Sequence, residues 1–315
     1  MSFAFVFPGQ GSQSVGMLSE LAAAEPLVRE TFAEASEVLG YDLWKLCQEG
    51  PEEQLGSTEY TQPAMLAAGV ATWRVWRKHG GGLPVAMAGH SLGEYSALVC
   101  SGALEFREAV SLVQFRGQAM QAAVPAGQGA MAAILGLEDA DVEAACREAA
   151  QGEVVQAANF NSPGQVVIAG TASAVARAIE VAKSKGAKRA IPLPVSVPSH
   201  SALMQPAADK LAARLASVTF ATPQVQDIYT VDVRKHGGAG DIRRALVEQL
   251  VKPVRWTQTI QAMLSQGVRT IVECGPGRVL TGLNRRIERN KDIAMLAIED
   301  SESLAQALQQ CRSNA

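Results

Sequence analysis

A chain of 315 residues, 48% of them hydrophobic, is long enough to bury a sizeable core without covalent staples. Its formal net charge of −3 offers nucleic acid no basic field and shows no acidic excess of the kind that keeps chains disordered. The five cysteines, Cys47, Cys100, Cys146, Cys274 and Cys311, are odd in number and never spaced C-x-x-C, which speaks against disulfides or zinc and for reduced, mostly buried thiols.

The N-terminal segment has no basic stretch and reaches Pro8-Gly9 too soon for a secretory signal, and no later run approaches roughly 18 apolar residues. A cytoplasmic chain that crosses no membrane is therefore expected. Phe3 to Phe7 is wholly apolar and predicts a strand buried on both faces. The loop Gly9-Gln10-Gly11-Ser12-Gln13 fits a phosphate cradle, part of an oxyanion hole or a plain strand-to-helix turn, and is neither a P-loop nor G-x-G-x-x-G. Helical patterns cover 26–39 and about 59–79, the second closing on glycines 80–82.

A short apolar run at 85–88 then leads into Gly89-His90-Ser91-Leu92-Gly93, with helix-forming residues at 94–100. This G-x-S-x-G has the strand before and the helix after that a nucleophile elbow requires, although glycine-flanked serines also occur in ordinary turns. The next pattern, 105–124, predicts one long helix with an apolar stripe at Ala109, Leu112, Val113, Met120 and Ala123, and Arg116 falls on that stripe. A guanidinium there must snorkel, pair with a protein carboxylate or meet an anionic ligand.

Pro125 to Gly129 breaks the chain, and strand, helix, strand, strand, helix and strand follow up to Val195. That order is ferredoxin-like, βαββαβ. Beyond it strands near 226–231, 270–273 and 293–298 alternate with helices at 201–215, 241–251, 256–265 and 278–289, ahead of a terminal helix. The expected fold class is α/β: a large α/β-hydrolase-like part with a mainly parallel sheet, residues 1–128 and 197–315, and an inserted ferredoxin-like part, residues 129–196.

An elbow serine needs a base, and there are four histidines. His79 and His236 sit beside glycines in apparent solvated turns, and His90, next to Ser91, should face the other way. His200 remains, open between a catalytic and a structural role.

Seven blocks in order, FPGQGSQ at 7–13, TQPA at 61–64, GHSLGEYSALV at 89–99, RGQAM at 116–120, NFNSPGQVVIAG at 159–170, PVSVPSH at 194–200 and ECGPG at 273–277, span essentially the whole chain. Together they closely resemble the malonyl-CoA:acyl-carrier-protein transacylases of bacterial type II fatty-acid synthesis. The resemblance implies Ser91 as nucleophile, His200 as base and Arg116 as the group that binds the malonyl carboxylate. It also implies Gln10 and the backbone of Leu92 at the oxyanion hole, Gln62 at the substrate site, and Gln249 as the residue whose backbone carbonyl orients the histidine. Malonyl-CoA and acyl carrier protein are the implied partners, with no metal or other cofactor, no nucleic acid and no membrane, and a monomer is expected. Tyr229-Thr230-Val231 departs from the asparagine that many relatives carry before the valine.

Two basic clusters, Lys183, Lys185, Lys188 and Arg189, and Arg285, Arg286, Arg289 and Lys291, fit either carrier docking or solvated helix ends. Other readings are a malonyl transferase of a polyketide or malonate-decarboxylating system, a serine hydrolase or thioesterase, and a non-catalytic binding module. The lack of a condensing or docking segment favours a discrete enzyme over the first of these. No motif supplies the histidine-orienting carboxylate that would favour the second.

Overall fold

The computed structural model describes residues 2–195, 197–225, 227–229, 231–234 and 238–312. The expectations at His236 and at Thr230 lie outside the described residues. Nine strands are formed among them: β1 (Ser2–Phe7), β2 (Ala86–Gly89), β3 (Gly129–Leu135), β4 (Val155–Ser162), β5 (Gln165–Thr171), β6 (Arg189–Pro192), β7 (Asp227–Tyr229), β8 (Val268–Cys274) and β9 (Ala294–Ile298).

By internal contacts the chain divides into two units, one of Met1–Gly117, Val218–Ile242 and Thr259–Ala315, the other of Gln118–Ser217 and Arg243–Gln258. The first carries a five-stranded sheet in the order β7-β2-β1-β8-β9, and every pairing described in it is parallel. β1 lies in the middle, with Phe5 beside Met87 of β2 and Val272 of β8. That position is why its sequence has no polar alternation: a strand with neighbours on both edges and helices on both faces has nothing to show to water. Ala4, Phe5, Val6 and Phe7 are fully buried, and the Phe5 ring meets Trp76 edge-on at 5.0 Å and Trp73 at 5.3 Å. Both tryptophans belong to the helix Thr58–Lys78. Buried indole needs an acceptor, and Trp76 Nε1 donates to the carbonyl of Gly82 at 2.9 Å.

The second unit contains the antiparallel sheet β4-β5-β3-β6. With helices Asp139–Ala150 and Ala172–Ser184 it completes the βαββαβ order. Its core gathers Val142, Phe160, Val166, Ile168 and Val175. β4 runs on through Ser162, so only Pro163-Gly164 separate it from β5. β6 stops at Pro192 rather than 195, because Pro194 has no N–H to continue a ladder. Helices at Ser19–Ala24, Leu43–Glu49 and Glu52–Gly56 carry too few turns to show a period in sequence.

Behind the loop that follows β8, Glu273 is fully buried, and its two carboxyl oxygens accept from the N–H groups of Leu280 (3.0 Å) and Thr281 (2.7 Å). These amides open the helix Val279–Ile287, where N–H groups lack intrahelical acceptors. Burial raises the Glu273 pKa to about 7, against the opposing pull of those N–H donors. A folded-state pKa above the unfolded one favours folding fully below about pH 4.5, and the benefit is lost as pH rises through 7. Stability should therefore fall on the order of 3 kcal/mol between pH 5 and 8 from this group. Urea unfolding across that range is expected to show the slope in the wild type and a flatter one in Glu273→Gln.

Candidate active site

The carboxyl ends of three adjacent parallel strands, β1, β2 and β8, release the loops at 8–10, 90–92 and 275–277, the edge at which open α/β sheets bind ligands. Ser91 sits at the tip of the second loop with φ +52°, in the left-handed region that a non-glycine residue seldom occupies. The turn is tied on both sides: the His90 N–H donates to the Phe7 carbonyl at 2.9 Å, and the Gly93 N–H to the His90 carbonyl at 3.0 Å. The glycines answer to space. A Cβ on Gly89 would lie 1.8 Å from the carbonyl carbon of Gly93, and one on Gly93 would lie 2.0 Å from the Phe7 oxygen. The helix Gly93–Cys100 thus starts directly against the strands, and Leu92 occupies its N-cap. The next two amides donate back into the turn, Glu94 N–H to the Ser91 carbonyl at 3.1 Å and Tyr95 N–H to the Leu92 carbonyl at 3.0 Å.

Arg116 belongs to the helix Phe106–Ala123 and is 1% exposed, so it does not snorkel. Its Nη1 donates to Gln62 Oε1 at 2.8 Å, and its Nη2 to the Ser91 hydroxyl oxygen at 3.4 Å. The guanidinium carbon stands 5.5 Å from the centroid of the Tyr95 ring. Burial pulls the arginine's pKa below its ordinary value, and the nearby Tyr95 and Glu94 oppose that pull. An arginine stays charged regardless, so burial here disfavours an existing cation and rewards an anion brought to it. The first loop joins the same unit: Gln10 is half-buried, and its side-chain amide donates to Thr58 Oγ1 at 3.4 Å.

His200 and Gln249 fall in the second unit. His200 is 2% exposed, has φ +60°, and its Nδ1 is 2.7 Å from the Gln249 carbonyl oxygen. A carbonyl only accepts, so Nδ1 carries the proton, and the neutral ring keeps its lone pair on Nε2. Gln156 braces this segment, its amide oxygen accepting from the Ala202 N–H at 3.1 Å.

His79 is exposed beside its glycines, as expected of it, and its Nε2 lies 2.5 Å from Oε1 of the mostly buried Glu25. All five cysteines are free and buried, and burial pushes the thiols of Cys47, Cys146 and Cys311 up to about 12. In the basic cluster at 183–189, Lys183 pairs with Glu180 and Lys185 with Glu148. Among the described residues no cluster of His, Cys, Asp or Glu could hold a metal, and no helix is long and apolar enough to cross a membrane. Residue reading missed Glu94 and Tyr95, although helical spacing from Ser91 puts both near its turn. It also missed Thr58, which carries no sequence signal.

The family described as acyl transferase domain matches residues 4–300. A malonyl CoA-acyl carrier protein transacylase of Escherichia coli O157:H7 is 59% identical, over 98% of this chain and 99% of that protein. The solved structure of the Coxiella burnetii malonyl CoA-acyl carrier protein transacylase superposes with a TM-score of 0.97 at 54% identity, covering 99% of this chain and 98% of that one. A malonyl-transacylase solved in complex with its type II polyketide acyl-carrier protein gives 0.96 at 57% identity, covering 98% and 100%.

The turn generates its own test. Gly93→Ala would drive a Cβ into the Phe7 carbonyl, a clash between backbones that no rotamer relieves. Urea denaturation is expected to show a loss on the order of 3–5 kcal/mol, and a variant as stable as the wild type would mean that the strands and helix do not meet this closely.

Proposed function

The chain belongs to the acyl transferase domain family, with malonyl-CoA:acyl-carrier-protein transacylases as its full-length relatives, and from that premise we infer how its residues move a malonyl group. The enzyme transfers malonyl from malonyl-CoA to the phosphopantetheine thiol of acyl carrier protein, supplying fatty-acid elongation. The observation that carries the mechanism is the buried Arg116 guanidinium 3.4 Å from the Ser91 hydroxyl. A cation beside an elbow serine suits an acyl group that ends in a carboxylate.

In the first half-reaction Ser91 attacks the thioester carbonyl of malonyl-CoA while His200 Nε2 takes its proton. The backbone N–H groups of Gln10 and Leu92 hold the oxyanion as it forms. The tetrahedral intermediate collapses, the carbon–sulfur bond breaks, and CoA leaves as a thiol with the proton returned by His200. The malonyl group is now an ester of Ser91. In the second half the carrier's thiol gives its proton to His200 and attacks the ester, and Ser91 leaves protonated. Gln62 holds one arm of Arg116 so that the rest of the planar fork faces the malonyl carboxylate. None of these steps calls for a metal or redox cofactor.

Malonyl-CoA without carrier protein is expected to add one malonyl mass to the protein, mapped by peptide analysis to Ser91 and absent in Ser91→Ala. An acyl group found on Cys100 or another residue would sink the scheme. Arg116→Ala loses a charge-assisted, bidentate contact worth about 3 kcal/mol, roughly a hundredfold in kcat/KM for malonyl-CoA. Acetyl-CoA carries no carboxylate and is expected to react as well as before or better, with Arg116→Lys recovering malonyl transfer only in part. Equal losses for the two substrates would make Arg116 a structural residue.

A further inference from the structure

In an α-helix each carbonyl accepts from the N–H four residues on. At the end of the helix Ala239–Val251 the series runs one residue past the last helical position, with the Lys252 N–H donating to the Glu248 carbonyl at 2.9 Å. The next bond in the series would join residue 253 to the carbonyl of Gln249. Residue 253 is a proline and has no N–H. The bond that the Gln249 carbonyl does accept comes from His200 Nδ1, at 2.7 Å.

The proline acts on the path of the chain as well. Its ring steers the residue before it out of the helical region, so the helix ends where it does. Val254 then docks on β4, its N–H donating to the Ala158 carbonyl at 2.9 Å and its carbonyl accepting from the Phe160 N–H at 2.9 Å. Asn159 and Val254 form a parallel bridge there, and the Thr257 hydroxyl adds a bond to the Phe160 carbonyl at 3.3 Å. The chain beyond the helix is thereby anchored to the antiparallel sheet five to eight residues after the carbonyl that meets the imidazole.

We propose that Pro253 is a positioning residue for His200: it withholds the helical donor that would occupy the Gln249 carbonyl, and it turns the chain onto β4 so that this carbonyl stands where Nδ1 meets it. A helix C-terminus is the negative end of the helix dipole, so the same carbonyl favours the imidazolium formed when the ring takes a proton. A backbone oxygen can thus do for this histidine what a carboxylate does in a Ser-His-Asp triad. The proposal rests on the reading of His200 as the base, and its test separates the two.

In full-length Pro253→Ala, the new amide has the Gln249 carbonyl within helical reach and competes with the imidazole. Hydrogen exchange should find that amide protected. Nitrogen-15 spectra should show His200 passing from the Nδ1–H tautomer to a mixture with Nε2–H. Single-turnover malonylation of Ser91 should fall roughly tenfold to a hundredfold, because a mis-set tautomer impairs a base, with KM for malonyl-CoA changed by less than about twofold. Lys252→Ala, an exposed neighbour that leaves the N–H inventory at 253 intact, should change none of these. Pro253→Gly brings the same amide with no side chain to fit, and gives the reading if the alanine variant does not fold. An unprotected amide with the tautomer unchanged would overturn the proposal, even if acylation fell, because the proline would then act through packing alone. A shifted tautomer with normal acylation would uphold the role of Pro253 and remove His200 as the base.

Discussion

Backbone approach at the ends of β1 and β2 sets what the rest of the catalytic edge can be. Gly93 lies so close to the Phe7 carbonyl that a single added carbon would collide with it, and Gly89 meets the first turn of the following helix just as tightly. The helix can therefore begin within four residues of the end of β2. Its opening N–H groups are brought to the sheet's carboxyl edge, and Ser91 stands at the tip of the turn between them. A looser connection would lengthen the turn and carry the hydroxyl away from the start of the helix. The all-apolar β1 contributes indirectly: with Trp73 and Trp76 packed on Phe5, the strand that carries the Phe7 carbonyl has little freedom to move.

Both ionisable groups of the proposed mechanism are oriented through neutral oxygens. Arg116 gives one N–H to the amide oxygen of Gln62, and His200 gives Nδ1–H to the backbone of Gln249. Gln62 holds the guanidinium without adding a charge of its own to it. The imidazole gains from the end of a helix a partial negative charge with no titration of its own.

Much of the fold was legible because its signals are local. The unbroken apolar run of β1, the three-and-four spacing of the long helices and the alternation of helix and strand each follow from burial on a known period. The short helices after β1 lack that period. Of the site, Ser91 was readable from its glycines, and Arg116 from being a cation on an apolar stripe. Gln10, Gln62 and Gln249 were not readable from their own chemistry. In the proposed mechanism they act through the backbone or through hydrogen bonds to partners tens of residues away. At His79 the glycine-rich neighbourhood correctly signals exposure, but the glutamate that meets it lies 54 residues earlier in the chain, beyond any local pattern.

Ser91 and His200 share a feature unusual outside glycine, a left-handed backbone, at φ +52° and +60°. For a residue with a Cβ that conformation costs about 1–2 kcal/mol, and glycine would occupy it freely. The backbone by itself therefore prefers glycine at both positions, and what opposes it is the chemistry that the proposed mechanism gives them. In a lineage whose copy of this chain was no longer needed for transfer, drift and selection for stability would point the same way at these two positions. Their retention in any descendant would be a sign of continuing use, more telling than retention of a core residue, which the fold would defend for its own sake.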